Sequence, residues 1–335
     1  MEECRIVINK LIVHILDTSI QMPVISTEEH PLEADVCDYT ARHIQRVIQA
    51  DNAKNAMFLS DSAVGRICCS LADHPDQFCG LTGEFACILY DIMLRNVDIS
   101  PADLVCVQFE MDGVPHVGIL KMNFRNTYIH FIVNMDEGQQ NKLIRQQTTL
   151  PGDTQKLEEC ALINLNDMSI RLIEKKYDIN GEKLNYFSEL FLQCSGDISN
   201  REKIKIFNKA TSQFKEEYFG DDFKKELEIR KAVSESFENN SAIDIEEVAA
   251  SVFKNSPDMQ RSYLKSMEEA GLKDTCLSPS EKMVEKNYRK QTLKTDTGIE
   301  INIPVECYSD SERIEFLTNP DGTISIIIKN VSKIF

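Results

Sequence analysis

The sequence predicts an α+β protein: a mainly antiparallel sheet with packed helices, followed by a helical region closed by a C-terminal β-hairpin. Three observations lead there. In the first 180 residues, β-branched runs alternate with segments of helical period. Asp112-Gly113 stands between two apolar runs as a hairpin turn. After Asn180-Gly181 the period becomes helical, and clean alternation returns only near the end.

Taken in order, Arg5 to Leu16 is rich in Ile and Val and reads as a strand, with a short strand around Val24-Ile25-Ser26 as its partner. Between Pro31 and Ala50, Val36, Tyr39, His43, Ile44, Val47 and Ile48 recur at helical spacing, with Asp35 as N-cap. Ser60 or Asp61 is expected to cap a helix through Val64, Ile67, Cys68 and Leu71, and a longer helix should run from Thr82 to Leu94. Leu104–Met111, His116–Phe124 and Tyr128–Val133 read as an antiparallel meander. Leu143–Thr149, Glu158–Leu165 and Ser169–Tyr177 are expected to extend the same sheet.

Ser199-Asn200-Arg201-Glu202 fits a capping box and opens a helix to about Phe219. Phe223–Phe237, Ile245–Phe253 and Pro257–Ala270 follow as helices, the last closed by Gly271. Ser278-Pro279-Ser280-Glu281 repeats the capping logic, with proline at the first helical position. Ile299–Ile303 alternates, and Asn319-Pro320-Asp321-Gly322 is a turn between two further strands.

The chain has 335 residues, a length that suits two domains, placed at 1–180 and 181–335. Formal net charge is −17, divided as −11 and −6 between these parts. Sequence-independent DNA binding is driven by Lys and Arg against phosphate, and neither part offers a basic field. This balance favours a protein partner unless one patch runs against the average. No apolar run is long enough to span a bilayer, and the acidic start does not read as a signal peptide, so the cytoplasm is expected. Eleven cysteines at irregular spacing, mostly within apolar runs, read as buried free thiols.

No P-loop or dinucleotide fingerprint occurs. His74, Cys79 and Cys87 cluster near Cys68 and Cys69, but no C-x-x-C pair accompanies them, so packing outweighs zinc. Glu110, Asp112 and Lys121 could serve a metal-dependent nuclease, although Asp112 is explained as a turn residue. Neither a catalytic residue, a metal nor a cofactor is assigned. One basic patch stands out: Lys282, Lys286, Arg289, Lys290 and Lys294, with Tyr288 among them. Lys282, Lys286 and Arg289 or Lys290 share one face at helical spacing, and all five are the candidate nucleic-acid contacts; a solvated helix face is the plainer reading.

Several stretches carry a resemblance. They are Asn52–Phe58, Ala161–Asp167, Ser169–Tyr177, Tyr186–Phe191, Gly298–Pro304, Ile314–Phe316 and Asn319–Ile324. In this order they are similar to the bacterial nucleoid-associated protein family, the NdpA-like group. The resemblance implies a bacterial protein on the nucleoid with a non-enzymatic binding or adaptor role. Its implied partners are DNA, directly or indirectly, and the proteins that manage DNA topology or organise the chromosome. A homo-oligomer is compatible with it, and a membrane is not implied. The alternative is a nuclease or DNA-defence effector with an unrecognised site.

Overall fold

The computed structural model describes residues 4–135, 138–179, 181–220, 222–304, 307, 312–320 and 323–333, without the side chains of 223, 224, 290–292, 294, 318 and 324. The chain divides into two compact units, Met1–Ile198 and Ser199–Phe335.

The first unit opens with β1 (Ile6–Leu16), α1 (Ala34–Ile48), β2 (Lys54–Phe58), α2 (Ala63–Asp73) and α3 (Phe78–Arg95). It continues through β3 (Ala102–Met111), β4 (Val114–Asn123), β5 (Arg125–Met135), β6 (Gly138–Thr149), β7 (Glu159–Asn164) and β8 (Ser169–Ile173). The short hairpin β9 (Tyr177–Ile179) and β10 (Glu182–Leu184), a π-helical turn at Phe187–Leu192 and β11 (Cys194–Gly196) complete it. Among the described residues one antiparallel sheet of seven strands runs β1-β3-β4-β7-β8-β2-β11.

Both faces of this sheet are covered, which explains its uninterrupted apolar runs. Leu104 and Cys106 of β3 pack with Phe85, Leu89 and Met93 of α3. Val105, Val107 and Phe109, pointing the other way, pack with Ile44 and Val47 of α1. At the β3–β4 turn Asp112 (φ 51°) and Gly113 (φ 81°) are both left-handed, as a type I′ turn requires.

Several expectations change. The caps are Glu33 for α1 and Ser62 for α2, not Asp35 and not Ser60 or Asp61. Asp35 lies in the first turn of α1, while the Ser62 hydroxyl accepts from the Gly65 amide at 2.9 Å. Val24 makes only a single bridge to Ile15. Strands β5 and β6 do not extend the main sheet: among the described residues they pair only with each other, as a separate ribbon. The sheet position beside β4 goes to β7. Residues 181–198, placed on sequence in the second part, belong with the first, because β11 pairs with β2.

His14 of β1 is buried between Thr82 and Ser26, and its Nδ1 accepts from the Ser26 amide at 3.2 Å. This neutral ring is held down at about 4, from its ordinary 6.5, by burial. Unfolding frees a ring that binds a proton near 6.5, so stability should fall as pH drops from 6.5 towards 4 and should not change further below. His43, also lowered by burial and by Arg46, acts in the same direction. Melting temperatures of wild type and His14→Gln at pH 7.5 and 5 check this: the variant should show the shallower pH dependence.

The second unit holds α4 (Asn200–Phe219), α5 (Phe223–Asn240), β12 (Ile243–Asp244), α6 (Ile245–Val252), α7 (Pro257–Glu269) and β13 (Cys276–Leu277). The capping box of Ser199 and Glu202 is formed in full. Gly271 (φ 91°) ends α7 in a Schellman motif: its amide reaches the Glu268 carbonyl, and that of Leu272 reaches the Met267 carbonyl. The short α8 (Glu281–Val284) is capped by Ser280, whose hydroxyl accepts from the Met283 amide. Pro279 therefore precedes the cap instead of opening the helix. The end is two hairpins: β14 (Lys290–Lys294) with β15 (Glu300–Pro304), and β16 (Ile314–Thr318) with β17 (Ile324–Ile328). Asp321 and Gly322 of the expected turn lie outside the described residues.

Candidate nucleic-acid interface

The basic patch follows the cap at Ser280. The helical period is not sustained through it: α8 ends at Val284, a π-helical turn spans Glu285–Arg289, and β14 begins at Lys290. Lys290 and Lys294 thus belong to a strand, which corrects the helical face expected to include Lys290; the side chains of both lie outside the described residues. Lys282 and Lys286 are exposed. Among the described residues neither has a carboxylate within ion-pair distance. Arg289 is committed to Glu281 at 3.5 Å and Glu238 at 3.9 Å.

The buried Tyr288 anchors the turn, its hydroxyl donating to Asn208 Oδ1 at 2.6 Å. Burial raises this phenol well above its ordinary range. Arg230 donates to the Asn287 carbonyl at 3.1 Å and so ties the turn to α5. Beside it opens a cavity of about 290 Å³ whose lining includes Asn208, Thr211, Lys215, Glu226, Arg230 and Tyr288. Glu226 bridges the Lys215 ammonium at 3.3 Å and the Arg230 guanidinium at 3.2 Å. Two cations to one carboxylate leave the cavity positive, a setting that suits a phosphate oxygen.

The other candidate constellations do not assemble. Lys121 lies at the opposite end of the β3–β4 hairpin from Glu110 and Asp112, because Glu110 faces Pro115 and Lys121 faces Leu104. Asp112 Oδ1 accepts from the Arg5 amide at 2.9 Å, and Glu110 takes Asn9. Among the described residues no three His, Cys, Asp or Glu converge as a metal set. All eleven cysteines are free, but only Cys68, Cys106 and Cys160 are buried. Burial pushes these three thiols up. Cys69, Cys87 and Cys276 are exposed, which corrects the expectation of mostly buried thiols. Adjacent helical residues point about 100° apart, so Cys69 turns outward where Cys68 turns in.

Three of the segments that carried the resemblance meet in space. Lys54 of β2 pairs with the buried Glu174 at 3.0 Å, and Glu174 accepts from the Ser188 amide and hydroxyl at 3.0 and 2.9 Å. The family model described as nucleoid-associated protein YejK matches residues 12–334. The chain belongs to this family. No curated protein matches it. Membership in the YejK family places the chain among nucleoid-associated proteins. Among the described residues no helix is long and apolar enough to cross a membrane.

Neither the ribbon of β5 and β6 nor the cavity beside Tyr288 was assigned on sequence. Tyr128–Val133 carries apolar side chains at both alternations, the pattern of a strand covered on both faces, so its period gives no sign of a separate ribbon.

Proposed function

We propose that this chain is a non-enzymatic nucleoid adaptor of the bacterial cytoplasm that contacts DNA phosphate through a small cationic surface and otherwise works through protein partners, including those that manage DNA topology. The observation that carries this reading is the pair Lys282 and Lys286, exposed and free of ion pairs among the described residues, in the same unit as a cavity lined by Lys215 and Arg230. In a chain of net charge −17, such a patch supports few phosphate contacts.

The test is duplex binding by wild type and by the quadruple variant Lys282→Ala, Lys286→Ala, Arg289→Ala, Lys290→Ala. Four phosphate contacts give a log–log salt slope of about −3.6, or about a 150-fold loss of affinity between 50 and 200 mM salt. The variant should lose most of that slope and weaken on all sequences alike, because phosphate contacts carry no sequence information. Unchanged affinity and slope in the variant would remove the patch from the function. No binding by either protein would place nucleoid association wholly on a protein partner.

A further inference from the structure

Strands β5 and β6 form a two-stranded arm of 11 and 12 residues. At about 3.4 Å per residue it is roughly 40 Å long. Seven large apolar side chains on it are between 39 and 77% exposed: Tyr128, Ile129, Phe131, Ile132, Met135, Leu143 and Ile144. The register places them on both faces. Ile129 stands across from Ile144 on one, while Tyr128 pairs with Arg145 and His130 with Leu143 on the other. A two-stranded ribbon is marginal in water without cover, and apolar surface on this scale marks an interaction site.

The charge of the arm is opposite to that of the chain. Arg125, Lys142 and Arg145 are its Lys and Arg residues, and its two carboxylates, Asp136 and Glu137, fall together between the strands. Lys142 and Arg145 are exposed, without an ion-pair partner among the described residues. The complementary surface is in the same unit. Residues 17–38 contain Asp17, Glu28, Glu29, Glu33, Asp35 and Asp38 with no Lys or Arg. This segment also exposes Ile20, Met22, Val24 and Leu32.

Both features leave the sheet at one end. Leu16 pairs with Ala102, and Ala102 with Asn123, so the acidic segment begins at Asp17 beside the point where the arm begins at Arg125.

We propose that the arm is a dimerisation element: the arm of one copy lies along residues 17–38 of a second copy, and the exchange is reciprocal about a two-fold axis near this end of the sheet. A stable interface takes about 20–30 residues a side, which matches the arm's own length. Self-complementarity is what a two-fold contact requires, and a basic apolar arm with an acidic apolar seat on the same chain supplies it. The apolar content favours a protein over a DNA groove, where three cations and seven bare hydrophobic groups fit poorly.

Sedimentation velocity on the full chain at physiological salt tests this. Wild type should run at twice the chain mass of 38.2 kDa. Lys142→Glu with Arg145→Glu should run at the chain mass with unchanged circular dichroism, and adding Glu28→Lys with Glu33→Lys should restore the dimer. Phe131→Ser with Leu143→Ser, which leaves the charges in place, should also dissociate it. Hydrogen exchange should show the arm amides protected with rising protein concentration. A monomeric wild type, a dimer untouched by either arm variant, or arm amides protected only when duplex DNA is added would overturn the proposal.

Discussion

Lys121→Ala is expected to destabilise the first unit by about 3–5 kcal/mol, the cost of leaving a buried charge without its counter-ion. Lys121 and Glu159 face each other across β4 and β7, 3.6 Å apart and both 0% exposed. The ammonium donates to the Ser100 carbonyl at 3.0 Å and to Asn123 Oδ1. Burial pulls the Lys121 ammonium down and the Glu159 carboxyl up, and each charge opposes the other's shift. Glu159→Ala should cost a similar amount. The double variant Lys121→Met, Glu159→Leu should recover most of it, since apolar groups of similar volume often replace a buried pair at no net loss. Recovery is favoured further because the variant removes Glu159 Oε1, which has no hydrogen-bond partner among the described residues. Urea midpoints check this: both single variants should move well below wild type, and the double variant should return towards it. Single variants that unfold at the wild-type midpoint would show that the pair is dispensable.

Phe253→Ala should destabilise the second unit by a comparable amount, about 3–5 kcal/mol for a buried aromatic ring. Phe253 is stacked on Phe219 at 6.0 Å and packed against Phe214 and Tyr263 at 5.7 and 5.5 Å. Lys225 lies 5.2 Å from its ring centre, a cation–π contact of about 0.5–2 kcal/mol that is lost as well. Phe253→Leu keeps most of the apolar volume while losing the ring contacts, so its loss should be smaller. Calorimetric unfolding of the two variants should rank them in that order, and equal melting temperatures for wild type and Phe253→Ala would contradict the packing described.

The elements legible in the sequence were those whose signal is local. The type I′ turn at Asp112-Gly113, the Ser199 capping box and the Gly271 terminator rest on residues within a few positions of each other, and all three are formed. Strand pairing is not local. Tyr128–Val133 reads as a strand and is one, but its period cannot say that it pairs with β6 and, among the described residues, with no strand of the main sheet. Lys54–Phe58 was not read as a strand because five residues with Lys and Asn carry little β signal, and its place comes from β8 and β11. At the basic patch the helical spacing holds only through Val284, and Lys290 falls in a strand because pairing of β14 with β15 overrides the helical pattern.

The position of β2 in the sheet has a consequence for biosynthesis. Lys54 must wait for Leu172, and Phe58 for Cys194, before either finds its neighbour. At about 5–20 residues per second of synthesis, β2 remains without its strand neighbours on the ribosome for on the order of 10 s. This order of assembly makes the nascent first unit a natural client for chaperones, with closure of the sheet coupled to the emergence of its last strand rather than its first.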